Sequence, residues 1–182
     1  MRRPIPLFLL LLVGCTSANA GTPALQETAG RQIRVSGVNV GRLDLEIGHR
    51  DRIVTRTFAA RVDEVWTRLP AAFEALELEV NMGDRRARVL GVQNARLRSI
   101  AGSRPSEYLE CGVGVAGANA DRYQVFLTLL AQVQPGENGA STVSIQVDAT
   151  ARDIASSGNP VICGSNGRLE AELLDMIEQL GE

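Results

Sequence analysis

Residues 123–151, YQVFLTLLAQVQPGENGASTVSIQVDATA, decide the fold. Apolar side chains take every second position on both sides of PGENG at 135–139, whose composition is typical of a turn. These positions are Tyr123, Val125, Leu127, Leu129, Ala131 and Val133, then Val143, Ile145, Val147, Ala149 and Ala151. Period-two spacing indicates strands with one buried face. The region is therefore predicted to be a long antiparallel hairpin.

Two helices are predicted on either side of this hairpin. Between residues 61 and 78 the spacing becomes helical, with Val62, Val65, Trp66, Leu69, Phe73 and Leu76 forming one stripe. Pro70 lies inside this pattern and is expected to kink or split the helix. Near the C-terminus, Ser165 or Asn166 is expected to cap a second helix. Its apolar face carries Leu169, Leu173, Ile177 and Leu180.

Further strands are predicted from shorter alternating runs. One or two precede the first helix within residues 32–58, and another covers residues 78–82. Gly83–Asp84 is interpreted as a turn before strands at 86–92 and 96–100. The order β-α-β-β-β-β-α predicts the α+β class, an antiparallel sheet packed against two helices. A single domain is expected over residues 31–182.

Composition limits the chemistry available to this chain. It has 182 residues, 45% hydrophobic and 22% charged, which suits one globular domain. All 19 basic residues are arginine and the net charge is −2, which gives no case for nucleic-acid binding. A catalytic lysine is excluded, and a metal site or histidine-based triad would depend on His49, the single histidine. We therefore expect a protein that is not an enzyme and uses no cofactor or metal.

The N-terminal sequence, MRRPIPLFLLLLVGCTSANA, predicts export. Two arginines precede an apolar run too short to span a bilayer, which is typical of a signal peptide. The run ends in Leu12–Cys15, LVGC, which resembles the lipobox of bacterial lipoproteins. This resemblance implies that Cys15 is acylated and becomes the mature N-terminus. Ordinary secretion, with cleavage after Ala20, is the alternative.

The lipobox resemblance sets the expected organisation. Residues 1–14 would be the lipoprotein signal peptide, and residues 15–30 a flexible tether of small and polar residues. The membrane is then a partner through the N-terminal lipid. Thr16 follows the cysteine where enteric lipoproteins retained at the inner membrane have Asp. The resemblance therefore implies an outer-membrane lipoprotein facing the periplasm.

Cys111 and Cys163 remain once Cys15 is acylated. Disulfides persist in exported proteins, so a structural disulfide between these two is expected. A reactive thiol is the alternative. Cys111 begins a glycine-rich segment whose Gly112, Gly114 and Gly117 match G-x-G-x-x-G. Because the following residues alternate like a strand, we interpret this segment as a glycine-rich connection and not as a dinucleotide site.

Six arginines fall within twenty residues that contain no acid: Arg85, Arg86, Arg88, Arg96, Arg98 and Arg104. Guanidinium groups pair well with phosphates and carboxylates, so these residues are candidates for binding lipid phosphates or an acidic envelope protein. The alternative is a solvated strand surface, since alternate positions on a strand share one face. Aromatic residues do not interleave with them, which argues against nucleic acid.

The segment Arg56–Leu69, RTFAARVDEVWTRL, predicts a strand running into a helix with Val-Trp at its first buried turn. It resembles the opening of helix-grip domains of the START and polyketide-cyclase type. Among lipoproteins, the chain is similar in kind to the lipoprotein C component of the β-barrel assembly machinery, whose domains share this layout. It departs from that family in its cysteine pair and single domain.

These features together predict a lipid-anchored cell-envelope protein without enzymatic activity. Its expected role is that of a binding or envelope-assembly accessory module. The alternative is a carrier that holds a small apolar ligand in the cavity of a helix-grip fold.

Overall fold

The computed structural model describes residues 26–29, 52–155 and 158–182. Ten strands and three helices follow one another along these residues: β1 (Gln26–Ala29), β2 (Arg52–Phe58), α1 (Val62–Ala75), β3 (Met82–Asp84), β4 (Val89–Leu97), β5 (Leu109–Glu110), β6 (Val113–Gly114), β7 (Gly117–Ala118), α2 (Asn119–Arg122), β8 (Gln124–Pro135), β9 (Ser141–Arg152), β10 (Val161–Ser165) and α3 (Arg168–Gln179). Within the main sheet the strands lie in the order β1-β2-β9-β8-β4-β3. All the pairings along this path are antiparallel.

The β8–β9 hairpin forms the middle of the sheet and confirms the prediction for residues 123–151. Its register runs without interruption from Gln124 opposite Arg152 to Pro135 opposite Ser141. The connection includes Asn138 with φ of 54° and Gly139 with φ of 79°, backbone conformations that these two residue types adopt readily. Turn chemistry and strand alternation therefore specify the same register.

Two strands share one edge of β9. Strand β2 pairs with its first half, from Phe58 opposite Ser141 to Ile53 opposite Gln146. Strand β10 pairs with its last part, where Cys163 lies opposite Ala149. Strand β1 pairs with β2, so residues 26–29 of the predicted tether 15–30 are part of the sheet.

Helices α1 and α3 cover one face of the sheet and enclose the core. Their fully buried side chains are Val65, Leu69, Ala72 and Phe73 from α1 and Leu169, Leu173, Leu174 and Ile177 from α3. They belong to one apolar cluster with the inward-facing side chains of β8, namely Val125, Leu127, Leu129, Ala131 and Val133. The structure confirms the α+β class, with an antiparallel sheet packed against helices.

Strand β4 corrects the prediction of two strands at 86–92 and 96–100. It is one strand, interrupted by a bulge between Val92 and Ala95. Asn94 adopts a φ of 51° at the bulge and donates its amide to Thr128 Oγ1 at 3.1 Å. A bulge places one extra residue in a strand, which breaks the alternation on which the sequence prediction depends.

The turn before β4 lies later than predicted. Gly83 and Asp84 end β3, and the turn covers residues 85–88. Asp84 Oδ1 accepts hydrogen bonds from the amides of Arg86 and Ala87, at 2.8 and 3.0 Å. An aspartate that binds the amides following it initiates a turn, so the turn begins after Asp84.

Both long helices differ in detail from the sequence prediction. Helix α1 runs as one helix through Pro70, whose ring is exposed while Leu69 and Phe73 are fully buried. Packing on both sides of Pro70 therefore maintains one helix, so of the predicted kink or split the split does not occur. Helix α3 begins at Arg168, after Ser165 Oγ accepts the amide of Gly167 and Asn166 Oδ1 accepts that of Arg168.

Several expectations fall outside the described residues. They are the signal peptide 1–14, the acylated Cys15, the first part of the tether, the strands predicted within residues 32–51, and His49. Among the helices of the described ranges, none combines the length and the apolar character needed to cross a bilayer.

Candidate functional site

The six arginines of residues 85–104 form two groups at opposite ends of β4. Arg85, Arg86 and Arg88 lie in the turn before the strand, whereas Arg96, Arg98 and Arg104 lie at its end and beyond. From residue 88 to residue 96 a strand extends about 25 Å, at roughly 3.3 Å per residue. The structure therefore does not bring the six guanidinium groups together on one surface.

In the turn group, the three arginines differ in their contacts. Arg88 pairs with Asp63 of α1, with 3.2 Å between Nη2 and Oδ1. Arg85 and Arg86 are exposed, and within the described part of the chain neither guanidinium has an acidic partner. Because they lie in a turn and not on a strand, alternation does not apply to them. Arg85 and Arg86 are the two cations of this group left open to an anionic partner.

In the second group, at the end of β4 and beyond, Arg96 already contacts an aromatic ring. Its guanidinium lies 5.7 Å from the ring centre of Phe126, on the sheet face opposite the helices. Such a cation–π contact is a modest stabilisation at an exposed site. Arg98 and Arg104 are exposed at the end of the strand and in the following loop.

The predicted disulfide between Cys111 and Cys163 is confirmed. The two Cα atoms are 4.2 Å apart, and both residues are buried. Cys163 belongs to β10, which pairs with β9 on one side and, through Gly164 opposite Glu110, with β5 on the other. The bond therefore joins the loop region after β4 to the main sheet. Both sulfurs are in this bond, which excludes the alternative of a reactive thiol.

A small hairpin follows the disulfide in the glycine-rich segment. Strands β6 and β7 pair through Val113 opposite Ala118 and Gly114 opposite Gly117. Helix α2, which begins after them, has only four residues. A dinucleotide site requires a longer helix that starts at the glycines, so that its first amides meet the pyrophosphate. The glycines of this segment lie in a β-hairpin instead.

The base of this hairpin is tied to the fold, while its tip is exposed. Asn119 donates its amide to the oxygen of Gly112 at 3.0 Å and its Nδ2 to the oxygen of Cys111 at 3.1 Å. Val113 is 81% exposed, and Val115, at the tip, is fully exposed. Two apolar, β-branched side chains are thus presented to solvent from a fastened base.

A polar network that sequence reasoning missed lies between the loop before β5 and helix α3. The buried Tyr108 donates its hydroxyl to Glu172 Oε2 at 3.0 Å. Arg168 contacts Glu172 Oε1 at 2.8 Å and Glu107 Oε2 at 3.0 Å, and its guanidinium lies 5.1 Å from the centre of the Tyr108 ring. The four-residue spacing of Arg168 and Glu172 is the one signal of this network that the sequence carries.

The surroundings of Tyr108 change its acidity. Burial, followed by the hydrogen bond to the Glu172 carboxylate, raises the pKa of the phenol above its ordinary value. The hydroxyl therefore stays protonated and acts as a donor that holds the loop to α3. Its contacts are those of a structural residue.

A second ion-pair cluster joins the sheet to α3. Arg56, which is 8% exposed, contacts Asp175 at 2.7 Å and Glu178 at 3.0 Å. The two carboxylates offset part of the cost of burying the guanidinium next to the apolar core, while its Nε has no hydrogen-bond partner among the described residues. The arrangement fixes the end of α3 against β2 and leaves the two acids partly exposed.

Comparison with known proteins adds no family assignment. No protein-family model matches the chain, and no curated protein matches it. Within residues 26–29, 52–155 and 158–182, no three or more side chains of His, Cys, Asp or Glu are grouped where they would hold a metal ion.

Proposed function

We propose that this protein is a lipid-anchored cell-envelope protein without enzymatic activity that acts as a binding or envelope-assembly accessory module. The observation that carries the proposal is the position of Cys15, directly after the apolar run that ends in Leu12-Val13-Gly14. Acylation of a cysteine there would leave a protein held by two or more fatty-acid chains. Two chains are enough for stable anchoring, whereas one is marginal.

The confirmed disulfide supports an exported location. Bonds of this kind persist in oxidising compartments and are rare in the cytosol, where thiols are kept reduced. Cys111 and Cys163 are fully accounted for by this bond. Cys15 is thus the third cysteine of the chain and the one available for acylation.

Packing between the helices and the sheet favours a binding module over the alternative of a carrier. The side chains at this interface, including Phe73, Leu129 and Leu173, are fully buried in one continuous cluster. A carrier needs unfilled volume lined by apolar side chains, usually several hundred cubic ångströms. Binding is therefore assigned to the outer surface.

Arg85 and Arg86 provide the part of that surface best suited to an acidic partner. They are adjacent, exposed and without an acidic partner among the described residues, unlike Arg88. Guanidinium groups form bidentate contacts with carboxylates and phosphates. We assign anionic-partner binding to this turn and not to all six arginines.

The lipid anchor is tested by metabolic labelling with an alkyne-tagged fatty acid. Wild-type protein should carry the label and Cys15→Ser should lose it. The matched control removes the other two cysteines, in Cys111→Ala/Cys163→Ala, and should keep the label. An unlabelled wild-type protein, or equal label on Cys15→Ser, would contradict the anchor.

The binding surface is tested separately by crosslinking in intact cells. Arg85→Glu/Arg86→Glu should reduce the yield of crosslinked envelope protein by at least fivefold. Arg98→Glu/Arg104→Glu makes the same charge change at the other end of β4 and should leave the yield within twofold. Equal yields from both variants would remove the turn from the binding surface.

A further inference from the structure

We infer that the β6–β7 hairpin is a second membrane contact, in which Val113 and Val115 insert into the interface of the bilayer that holds acylated Cys15. The inference rests on the proposed lipid anchor and identifies which side of the folded domain faces the membrane. It concerns a surface to which the glycine-rich sequence alone assigns no role.

The chemistry of the hairpin suits a lipid interface. Gly112–Ala118, GVGVAGA, contains no charged and no polar side chain. Val113 and Val115 are both more exposed than large apolar residues usually are. Ala116, which follows Val115 at the tip, is also exposed. Exposed apolar groups that lie together on a soluble domain often mark contacts with membranes or proteins.

The hairpin is presented by a fixed base, so insertion would not require ordering a loose loop. The Cys111–Cys163 disulfide holds the residue before the hairpin, and Asn119, the residue after it, bonds to Gly112 and Cys111. A Cβ added at Gly114 would lie 2.9 Å from Asn119 Oδ1, which shows how closely the asparagine packs. A preorganised contact loses less conformational entropy when it binds.

The anchor and the hairpin can lie on the same membrane surface. Eleven residues lead from Cys15 to Gln26, the first residue of β1, and extend to at most about 38 Å. Gln26 pairs with Thr55, Thr55 with Ser144, and Cys163 with Ala149. Gln26 therefore lies level with Ser144 of β9, two strands away from it, and Cys163 lies level with Ala149, one strand away on the same side. Five residues along β9 and one strand spacing across the sheet separate Gln26 from Cys163, a distance of roughly 20 Å. The connecting chain is long enough to span it.

The small size of the hairpin favours lipid over a protein partner. A stable protein interface usually buries about 800 Å² on each side and involves about 20 to 30 residues, many more than this tip provides. Insertion of two valines is weak for a free protein, but an anchored protein has a high effective concentration at the bilayer. Since Gly112–Ala118 has no charge, we expect insertion into zwitterionic lipid without a requirement for anionic lipid.

The experiment uses the mature lipoprotein, purified in detergent and reconstituted into phosphatidylcholine vesicles. Trp66, the only tryptophan, is changed to Phe, and Val115→Trp supplies a fluorescent probe at the tip. Because Val115 is fully exposed, Val115→Trp leaves the core untouched. In vesicles with brominated acyl chains, the tryptophan fluorescence of the Val115→Trp protein should fall at least twofold relative to vesicles without bromine.

The matched control places the probe at the other end of the sheet. Glu137→Trp in the same Trp66→Phe background lies in the exposed turn between β8 and β9, and its fluorescence should change by less than a tenth. Equal fluorescence of the Val115→Trp protein in both kinds of vesicle would overturn the inference. If that variant instead crosslinks to an envelope protein in cells, the hairpin binds protein and not lipid.

Failure of the anchor is distinguished by the fatty-acid label on Cys15. A labelled Val115→Trp protein whose fluorescence stays unquenched keeps the proposed anchor and loses the hairpin contact. An unlabelled protein overturns the anchor and, with it, the arrangement inferred here, because the contact depends on the concentration that the anchor provides.

Discussion

Two regions of this protein are held together in different ways. In the core region, made of β2, β8, β9, α1 and α3, apolar side chains from both layers are buried in one cluster. In the disulfide end, made of β5, the β6–β7 hairpin, α2 and β10, Leu109, Ala120 and Cys163 reach the same cluster, whereas the hairpin stays outside it. A covalent bond and the contacts of Asn119 hold the hairpin in place.

Sequence composition explains the difference. Strands β8 and β9 have twelve residues each, with a large apolar side chain at most inward positions. Gly112–Ala118 offers two valines among glycines and alanines, which cannot form a core. The disulfide keeps such a segment in place without burying it. A surface that does not contribute to the core is free to contact a partner.

The largest expected effect comes from the core region. Phe73→Ala removes a fully buried ring from α1 and should lower the free energy of unfolding by about 3 to 5 kcal/mol. Urea denaturation of the mature domain measures it. The matched control is the neighbouring exposed residue in Glu74→Ala, which should change stability by less than about 0.5 kcal/mol. Similar losses for both would contradict the assignment of the core.

The disulfide should contribute the next largest amount. Its cysteines are 52 residues apart, and loop entropy for that separation corresponds to about 4 kcal/mol as an upper figure. We expect Cys111→Ala/Cys163→Ala to lower the free energy of unfolding by about 2 to 4 kcal/mol in the same assay. A loss below about 0.5 kcal/mol would mean that the disulfide end needs no covalent support.

Tyr108 connects the two regions and should give a smaller effect that depends on pH. Burial and the bond to Glu172 raise its pKa above the ordinary value of 10.0, so the unfolded chain loses this proton first as the pH rises. Its stabilisation is complete below about pH 10 and declines above it. Tyr108→Phe should cost about 0.5 to 1.5 kcal/mol at neutral pH.

The same variant tests the direction of the pKa shift. Stability of the wild-type protein should decrease more steeply than that of Tyr108→Phe as the pH rises above about 10, measured by urea denaturation at each pH. Parallel curves would show that the Tyr108 hydroxyl has the same pKa in the folded and unfolded chains.

The smallest effect is expected at the hairpin tip. Val113→Thr/Val115→Thr replaces two exposed methyl groups by hydroxyls of similar size and should change the free energy of unfolding by less than about 0.5 kcal/mol. A larger loss would show that the hairpin contributes to the fold, and the contrast between the two regions would then be weaker than described.

The core region was largely predictable from the sequence, because its signals are periodic. Apolar residues at every second position on both sides of PGENG predicted β8 and β9, and the helical stripe from Val62 to Phe73 predicted α1. Of the kink or split predicted at Pro70, the split does not occur, because the packing of Leu69 and Phe73 is a tertiary effect that the sequence pattern does not show. The cysteine pair was predictable because, with Cys15 interpreted as an acylation site, only Cys111 and Cys163 remained to pair.

The surfaces were less predictable, because they depend on pairings between distant residues. Nearness in sequence suggested one arginine cluster, but the length of β4 separates Arg86 from Arg96. The contact of Tyr108 with Glu172 joins residues 64 positions apart and has no periodic signal. The short strands β5, β6 and β7 have two residues each, fewer than alternation needs to be recognised.

The measurement that tests the lipid anchor most directly is the intact mass of the mature protein isolated from its own membranes. Anchoring predicts a chain that begins at Cys15 and carries the added mass of a diacylglyceryl group. An unmodified chain that begins at Gly21 would contradict it, because the domain would then be secreted without an anchor.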